Sequence, residues 1–254
     1  MDSINTQFSI LGGLPRSGIT ILSALLNQHP KIYVTTTSPL IEILWRNYTV
    51  WTDEYSKDDC ATKSIQQLKI PFLRKLITAY FSELTDKPII IDKRRQWQNA
   101  DNINMYHSIF GNYPTIIAPV RPVAEILSSY AKLFKESQSD LDLKGAGFKK
   151  SFYDFKSYQE SGLLTKGYVV EYDTLIQNTQ EVLDGLYVLL GASPFKNDLN
   201  NIVPFEKESF HGVENLHAIR SSISRSRQEG IASEKLLAEY KLESNWLERM
   251  EINV

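Results

Sequence analysis

The sequence predicts an α/β fold of three layers around a central, mostly parallel sheet. Two observations carry this. Short apolar runs, each the length of one strand, alternate with longer segments whose apolar residues recur at helical spacing. The first of these junctions is a glycine-rich turn, Gly12-Gly-Leu-Pro-Arg-Ser-Gly18, between an apolar run and a helical pattern. Strands that alternate with helices are joined by crossovers, which lay helices on both faces of a parallel sheet. A chain of 254 residues suffices for one such domain, residues 1–254, with a sizeable core.

Taken in order, residues 8–11 read as a buried strand, and Ile19, Leu22, Leu25 and Leu26 mark the first helix, with His29 as a cap at its end. Further strands are expected at residues 32–35, 88–92, 115–120 and 168–172. Phe72, Leu73, Leu76, Ile77, Tyr80, Phe81 and Leu84 predict a helix after Pro71, and Val123, Ile126, Leu127, Tyr130, Leu133 and Phe134 predict another. Asn178-Thr-Gln-Glu181 reads as a capping box ahead of Val182, Leu183, Leu186, Leu189 and Leu190, with Gly191 as the stop. Residues 136–150 and 205–235 are polar and read as loops, either lids or plain surface. In such sheets ligands bind beyond the carboxyl ends of the strands.

Composition narrows the function classes. Hydrophobic residues make up 42% and charged residues 23%, as in an ordinary globular protein. A net charge of −2 gives no global pull toward nucleic acid or a membrane surface, so any anion site must be local. Cys60 is the only cysteine, which rules out an intrachain disulfide. No acidic cluster suggests a metal, and no signal pattern or bilayer-length apolar run is evident. The expectation is a soluble, cytoplasmic protein without a bound metal.

The spacing Gly13-x4-Gly18-x-Thr20 fits a Walker-type phosphate loop, except that Ile19 stands where a nucleoside triphosphatase needs Lys. That Lys neutralises the β- and γ-phosphates. A loop that keeps the backbone cradle and lacks the Lys should hold a phosphate without cleaving a triphosphate.

Gly13-Leu-Pro-Arg-Ser-Gly-Ile-Thr20, followed by Leu25-Leu-Asn-Gln-His-Pro30, resembles the 5′-phosphosulfate loop of PAPS-dependent sulfotransferases. Ile19 departs from the Thr or Ser usual there, which removes a hydroxyl but keeps the backbone N–H. The resemblance implies the P-loop NTPase-like sulfotransferase fold, with Leu14, Pro15, Arg16, Ser17, Gly18, Ile19 and Thr20 around the 5′-phosphosulfate of PAPS and no metal. It also implies that Arg16 stabilises the leaving phosphate.

A second anchor follows the apolar strand Thr115-Ile-Ile-Ala-Pro-Val-Arg121. An Arg at a strand end and a hydroxyl on the next helix can together grip a phosphate. The family places an Arg, then a Ser eight positions on, then an aromatic at the 3′-phosphate of PAPS; here these are Arg121, Ser129 and Tyr130. The family's Asp-Pro-Arg-Asp after that Arg reads Pro122-Val-Ala-Glu125 here, so only the ends of the stretch, Arg121 and Glu125, match. Tyr172 matches a tyrosine near the adenine, and equally reads as a residue that closes the strand. Lys93, at the end of Ile90-Ile-Asp-Lys-Arg-Arg95, aligns with a Lys near the transferring sulfuryl group, while Arg95 falls on the family's His base. Arg cannot act as that base at neutral pH. In the late basic stretch Asn215–Arg227, Arg220 is the choice for the residue that closes over the nucleotide, with Arg225 and Arg227 as alternatives.

A general base must lie within hydrogen-bond reach of the acceptor. Asp92, Glu42, His107 and His217 are the candidates. Trp45, Tyr48, Trp51 and Trp97 either line an acceptor pocket or belong to the core. The reading is a sulfotransferase that uses PAPS, releases PAP, and acts on a small-molecule or carbohydrate hydroxyl or amine. A kinase-like phosphotransferase and a catalytically inactive nucleotide-binding homologue are the alternatives.

Overall fold

The computed structural model describes residues 7–51, 56–134, 146–162, 167–203 and 221–223. Its strands are β1 (Gln7–Leu11), β2 (Ile32–Val34), β3 (Ile89–Lys93), β4 (Thr115–Val120) and β5 (Gly167–Glu171), each where an apolar run predicts one. They form a single parallel sheet in the order β2-β3-β1-β4-β5. β1 is central, flanked by β3 and β4, so the turn that follows it opens at the middle of the sheet's carboxyl edge.

Alternation along these strands sends side chains to two cores, as a two-residue period requires. Ile10, Ile90, Ile116 and Ala118 face one side, where they pack with Leu40, Leu44, Leu73, Ile77, Phe81, Trp97, Ile103, Ile126 and Phe155. Leu11, Ile89, Ile91 and Ile117 face the other, with Leu22, Leu25, Leu26, Leu183 and Leu186. The helices on the first face are α2 (Leu40–Thr49), α4 (Lys69–Ser82), α5 (Ala100–Phe110), α6 (Val123–Phe134) and α7 (Ala146–Glu160), and the short α3 (Lys63–Gln66) precedes α4. On the second face lie α1 (Ile19–Asn27), α8 (Tyr172–Gln177) and α9 (Thr179–Leu189). The sheet is thus sandwiched between helical layers.

Several expectations need correction. α4 starts at Lys69, ahead of Pro71, because a proline in the first helical turn gives up an N–H that has no partner there. Phe72 and Leu84 are exposed, and the buried stripe is Leu73, Ile77 and Phe81. The capping box at 178–181 does not form: Asn178 makes no side-chain cap, and the Thr179 hydroxyl donates back to the Leu175 carbonyl at 2.7 Å. Residues 146–150, expected as loop, are the first residues of α7. Residues 136–145, and 205–235 except 221–223, lie outside the described residues. His29 does not bond the helix carbonyls through its ring. The Lys31 N–H donates to Nδ1 at 3.1 Å, so Nε2 carries the proton and donates to the Ser193 carbonyl at 3.0 Å, which ties the end of α1 to the chain beyond α9.

Candidate active site

The turn between β1 and α1 is built on unusual backbone. Gly13, Arg16 and Gly18 have φ of 118°, 64° and 100°. A Cβ on Gly13 would lie 2.6 Å from the Pro119 carbonyl oxygen, and one on Gly18 would lie 2.9 Å from the Tyr172 ring. Both positions need glycine for space as well as conformation. Arg16 holds the left-handed conformation with a full side chain, at a cost of about 1 kcal/mol. Ser17 closes the turn, its N–H and Oγ both donating to the Leu14 carbonyl, at 3.2 and 2.5 Å.

Leu14, Pro15 and Ser17 are buried, so their side chains belong to the scaffold; Pro15 also has no N–H to donate. Gly18 is the N-cap of α1, and α1 has no side-chain cap and no acidic residue in its first turn. The positive end of the helix dipole therefore faces the turn, as an anion site requires. Ile19, the first residue of α1, is half-buried. Its Cδ1 would lie 3.3 Å from a Cβ on Gly13, and the side chain packs against the core beneath α1. Thr20 follows it in the same first turn.

The second anchor meets the first. Arg16 Nε donates to Ser129 Oγ at 3.1 Å, and Arg121 Nη1 donates to the Arg16 carbonyl at 3.3 Å. Arg121 is only 5% exposed. Its Nε and Nη2 both donate to Glu125 Oε2, at 3.0 and 2.8 Å, one turn along α6. The guanidinium lies over the Tyr172 ring, 4.2 Å from its centroid. Arg16, Gly18, Arg121, Ser129 and Tyr172 therefore form one connected group, although they come from three separate βα junctions. Tyr130 lies in α6 beside Ser129. Arg220, His217, Arg225 and Arg227 lie outside the described residues.

Lys93 is the last residue of β3, in register with Leu11 at the end of β1, so it stands beside the start of the turn. Asp92, its neighbour, points to the opposite face and is fully buried. Trp97 Nε1 donates to its Oδ2 at 2.6 Å and Thr35 Oγ1 to its Oδ1 at 3.2 Å. Burial pushes the Asp92 carboxyl above its ordinary value; the hydrogen bonds from Trp97, Ser38 and Thr35, and the Arg94 charge, pull the other way. Thr35 Oγ1 in turn accepts from the Lys93 N–H at 2.7 Å. Asp92 is thus the post that fixes the β3 end and the Trp97 indole, which makes Trp97 a core residue.

Beyond the β3 end lies a cavity of about 310 Å³ lined by Glu42, Trp45, Arg46, Gln96 and Asn102, among others. Glu42, in the first turn of α2, is salt-bridged to Arg94 through Oε1, while its Oε2 is buried without a hydrogen-bond partner. Trp45 Nε1 donates to Asn102 Oδ1. Tyr48 and Trp51 do not line the cavity: Tyr48 packs edge-on to Trp45 beneath Lys69, and Trp51 packs on Phe72. His107 is in the last turn of α5, on the side of the sheet where β4 begins, stacked on Tyr113. That places it away from the carboxyl edge. Of the described base candidates, Glu42 alone borders this cavity. Among the described residues no three His, Cys, Asp or Glu side chains gather as a metal site would need, and no helix is long and apolar enough to cross a membrane.

One feature has no signal in the sequence. Gln98, in the 3₁₀ turn Arg95–Gln98 after β3, is 2% exposed, and neither atom of its side-chain amide has a hydrogen-bond partner. A Cβ on Gly12 would lie 3.1 Å from both its Cγ and its Nε2.

No curated protein sequence matches the chain. Among solved structures it is similar to the sulfotransferase domain from the curacin biosynthetic pathway, at 15% identity and a TM-score of 0.53, over 93% of this chain and 97% of that one. It is similar to the sulfotransferase domain of the Synechococcus PCC 7002 olefin synthase, at 18% identity and a TM-score of 0.50, over 80% and 78%. The sulfotransferase STF9 from Mycobacterium avium matches at 12% identity and a TM-score of 0.51, over 98% and 78%. These likenesses speak for the fold. The profile of the sulfotransferase family matches residues 10–197, well over half of the chain, and on that ground the chain belongs to the sulfotransferase family.

Proposed function

We propose that this chain, acting as one domain, transfers a sulfuryl group from PAPS to a hydroxyl or amine of a small-molecule or carbohydrate acceptor, and releases PAP. The observation that carries this reading is the coupling of two cationic anchors across one turn: Arg16 on the loop and Arg121 at the next strand end, joined through the Arg16 carbonyl. A donor with phosphate groups at both its 5′ and 3′ positions suits two anchors; one with a single phosphate cluster does not. The fit is supported by the helix N-terminus at Gly18 and by glycines whose missing Cβ atoms let the loop pack closely on Pro119 and Tyr172.

PAPS supplies an activated sulfuryl group on a good leaving phosphate. The loop backbone and Arg16 hold the 5′-phosphosulfate and offset the charge that grows on the leaving phosphate oxygen. Ser129 and Arg121 hold the 3′-phosphate, Tyr172 borders the nucleotide, and Lys93 neutralises sulfuryl oxygens. Glu42 accepts the acceptor's proton as the acceptor oxygen or nitrogen bonds to sulfur and the sulfur–oxygen bond to the 5′-phosphate breaks. The acceptor occupies the cavity bordered by Glu42 and Trp45. No step calls for a metal.

Thermal unfolding with PAP, PAPS, ATP and AMP tests the reading, because a ligand that binds only the folded chain raises its midpoint. PAP and PAPS should raise it more than AMP or ATP. Equal shifts for AMP and PAP would remove the 3′-phosphate site, and an ATP shift that needs magnesium would favour a phosphotransferase.

A further inference from the structure

Among the described residues near the loop, Gln98 is an anomalous polar side chain. Buried amides are almost always hydrogen-bonded, because a desolvated donor or acceptor without a partner is costly. Here both the Nε2 donor and the Oε1 acceptor are buried and unpartnered in a side chain only 2% exposed. The residue is not at a loose margin. Its turn is closed by the Trp97 N–H on the Arg94 carbonyl and the Asn99 N–H on the Gln96 carbonyl, both within 3.2 Å. The Arg94 N–H is bonded to the Leu11 carbonyl, so the turn is tied directly to the end of β1. Trp97, the preceding residue, is pinned by Asp92.

The place of the amide gives it a direction. It packs on Gly12, the first residue of the phosphate loop, where a Cβ would come within 3.1 Å of Cγ and Nε2. Gln96, in the same turn, lines the cavity assigned above to the acceptor. Gln98 thus packs against the start of the loop, two residues along the chain from Gln96 of the cavity lining. A donor bound at the loop and an acceptor bound in that cavity would meet close to this turn.

We propose that Gln98 is a further ligand-contacting residue, which binds the transferring group itself: its Nε2–H donates to an oxygen of the tetrahedral oxyanion carried by the donor, with the amide turning about its terminal torsions to reach it. This inference rests on the sulfotransferase reading and adds a residue to it. It accounts for an amide that stays unpaired until the sulfuryl group arrives, and for the absence of a side chain at position 12.

The test compares two ligands that differ by that group. PAPS carries the sulfuryl oxyanion and PAP lacks it. Calorimetric titration of the full chain and of Gln98→Met, a substitution of similar volume without the amide, should show PAPS affinity lowered about tenfold, the value of one hydrogen bond to a charged group. PAP affinity should stay within about twofold. Gln98→Glu keeps the shape and sets a carboxylate against the oxyanion, so it should lower PAPS affinity further, again with little effect on PAP; it serves where the Met variant does not fold. Equal losses for both ligands would make Gln98 a scaffold of the loop, and no loss for either would make the unpaired amide a packing defect; each result overturns the proposal. Wild-type protein that binds neither ligand overturns the sulfotransferase reading itself. Wild-type binding of both, with an indifferent Gln98→Met, overturns the Gln98 assignment alone.

Discussion

Arg121 reaches across from the end of β4 and donates Nη1 to the carbonyl of Arg16, 3.3 Å away, in the loop that follows β1. That bond makes each arginine part of the other's support. Arg16 sits at a φ of 64°, and its carbonyl and side chain are held by Arg121 and Ser129. The two positions nevertheless do different work. Arg121 is buried on Glu125 and Tyr172, whereas Arg16 lies on the loop itself.

Arg121→Ala is therefore expected to lower both stability and PAP affinity. Removing it strands the partly buried Glu125 carboxylate and the Arg16 carbonyl, at a stability cost of about 3 kcal/mol. Denaturant unfolding and PAP titration measure the two effects. Arg16→Ala should leave PAP binding less affected and reduce turnover more, since its charge matters most as the leaving phosphate gains charge. Matching profiles for both variants would refute the division.

The backbone conformation of Arg16 gives a second expectation. Gly adopts φ of 64° without strain and Ala does not. Both variants lose the Ser129 contact, so the difference between them isolates the backbone. Arg16→Gly should unfold at higher denaturant than Arg16→Ala, by about 1 kcal/mol, with both impaired in turnover. A more stable Ala variant would show that the loop relaxes once the guanidinium is gone.

The strands were legible in the sequence because each is a short, mainly apolar run set between segments of helical spacing. The loop was legible because its glycines do work no other residue can do; a Cβ at Gly13 or Gly18 strikes Pro119 or Tyr172. What stayed hidden depends on contacts between distant segments. Nothing at Glu42 announces a partner in Arg94, 52 residues on. Asp92 reads as a possible base until Trp97 and Thr35 are seen to surround it. Nothing in the sequence marks Gln98, whose burial follows from its packing on Gly12. At the failed capping box, Asn178 serves two helices at once: its N–H closes the preceding one on the Thr174 carbonyl, and its side chain makes no cap bond to the next.

Asp92 should leave a mark on pH dependence. Its pKa is raised in the folded chain, mainly by burial, above the ordinary 3.8. Below that ordinary value the carboxyl is protonated folded or unfolded. As pH rises from there to the raised value, the folded chain keeps the proton and the unfolded chain loses it. The stability associated with the protonated form is then progressively lost. Asp92→Asn abolishes this titration. The stability of wild type relative to Asp92→Asn should therefore fall as pH rises through this window and level off above it. Urea midpoints across a pH series measure it, and a difference that rises with pH would contradict burial as the dominant cause.

Glu42→Gln removes the proposed base and keeps the shape. Turnover should fall by about 100-fold or more on whichever acceptor the wild type sulfates best in a panel of phenols, alcohols and amines. PAP affinity should be unchanged, because Glu42 borders the cavity and not the loop. A parallel loss of PAP binding would mean that the Arg94 bridge holds the loop rather than the acceptor.

Ile19→Thr tests whether the loop depends on its backbone or on the hydroxyl the family usually carries. In this structure the Ile19 side chain packs beside Gly13 and against the core beneath α1. Threonine trades an apolar contact for a hydroxyl at the head of a helix. The lost contact should lower stability by about 1 kcal/mol. The gained hydroxyl adds at most one neutral hydrogen bond to the ligand, about 0.5–1.5 kcal/mol in PAP affinity. Wild type should thus bind PAP measurably, with a modest gain in Ile19→Thr and a lower unfolding midpoint without ligand. Absent wild-type binding, restored strongly by threonine, would mean that the cradle is closed by Ile19 and that the chain no longer uses this donor. Calorimetry on the two proteins, paired with their unfolding curves, separates these outcomes, because packing acts on the free chain and the hydroxyl acts only on the complex.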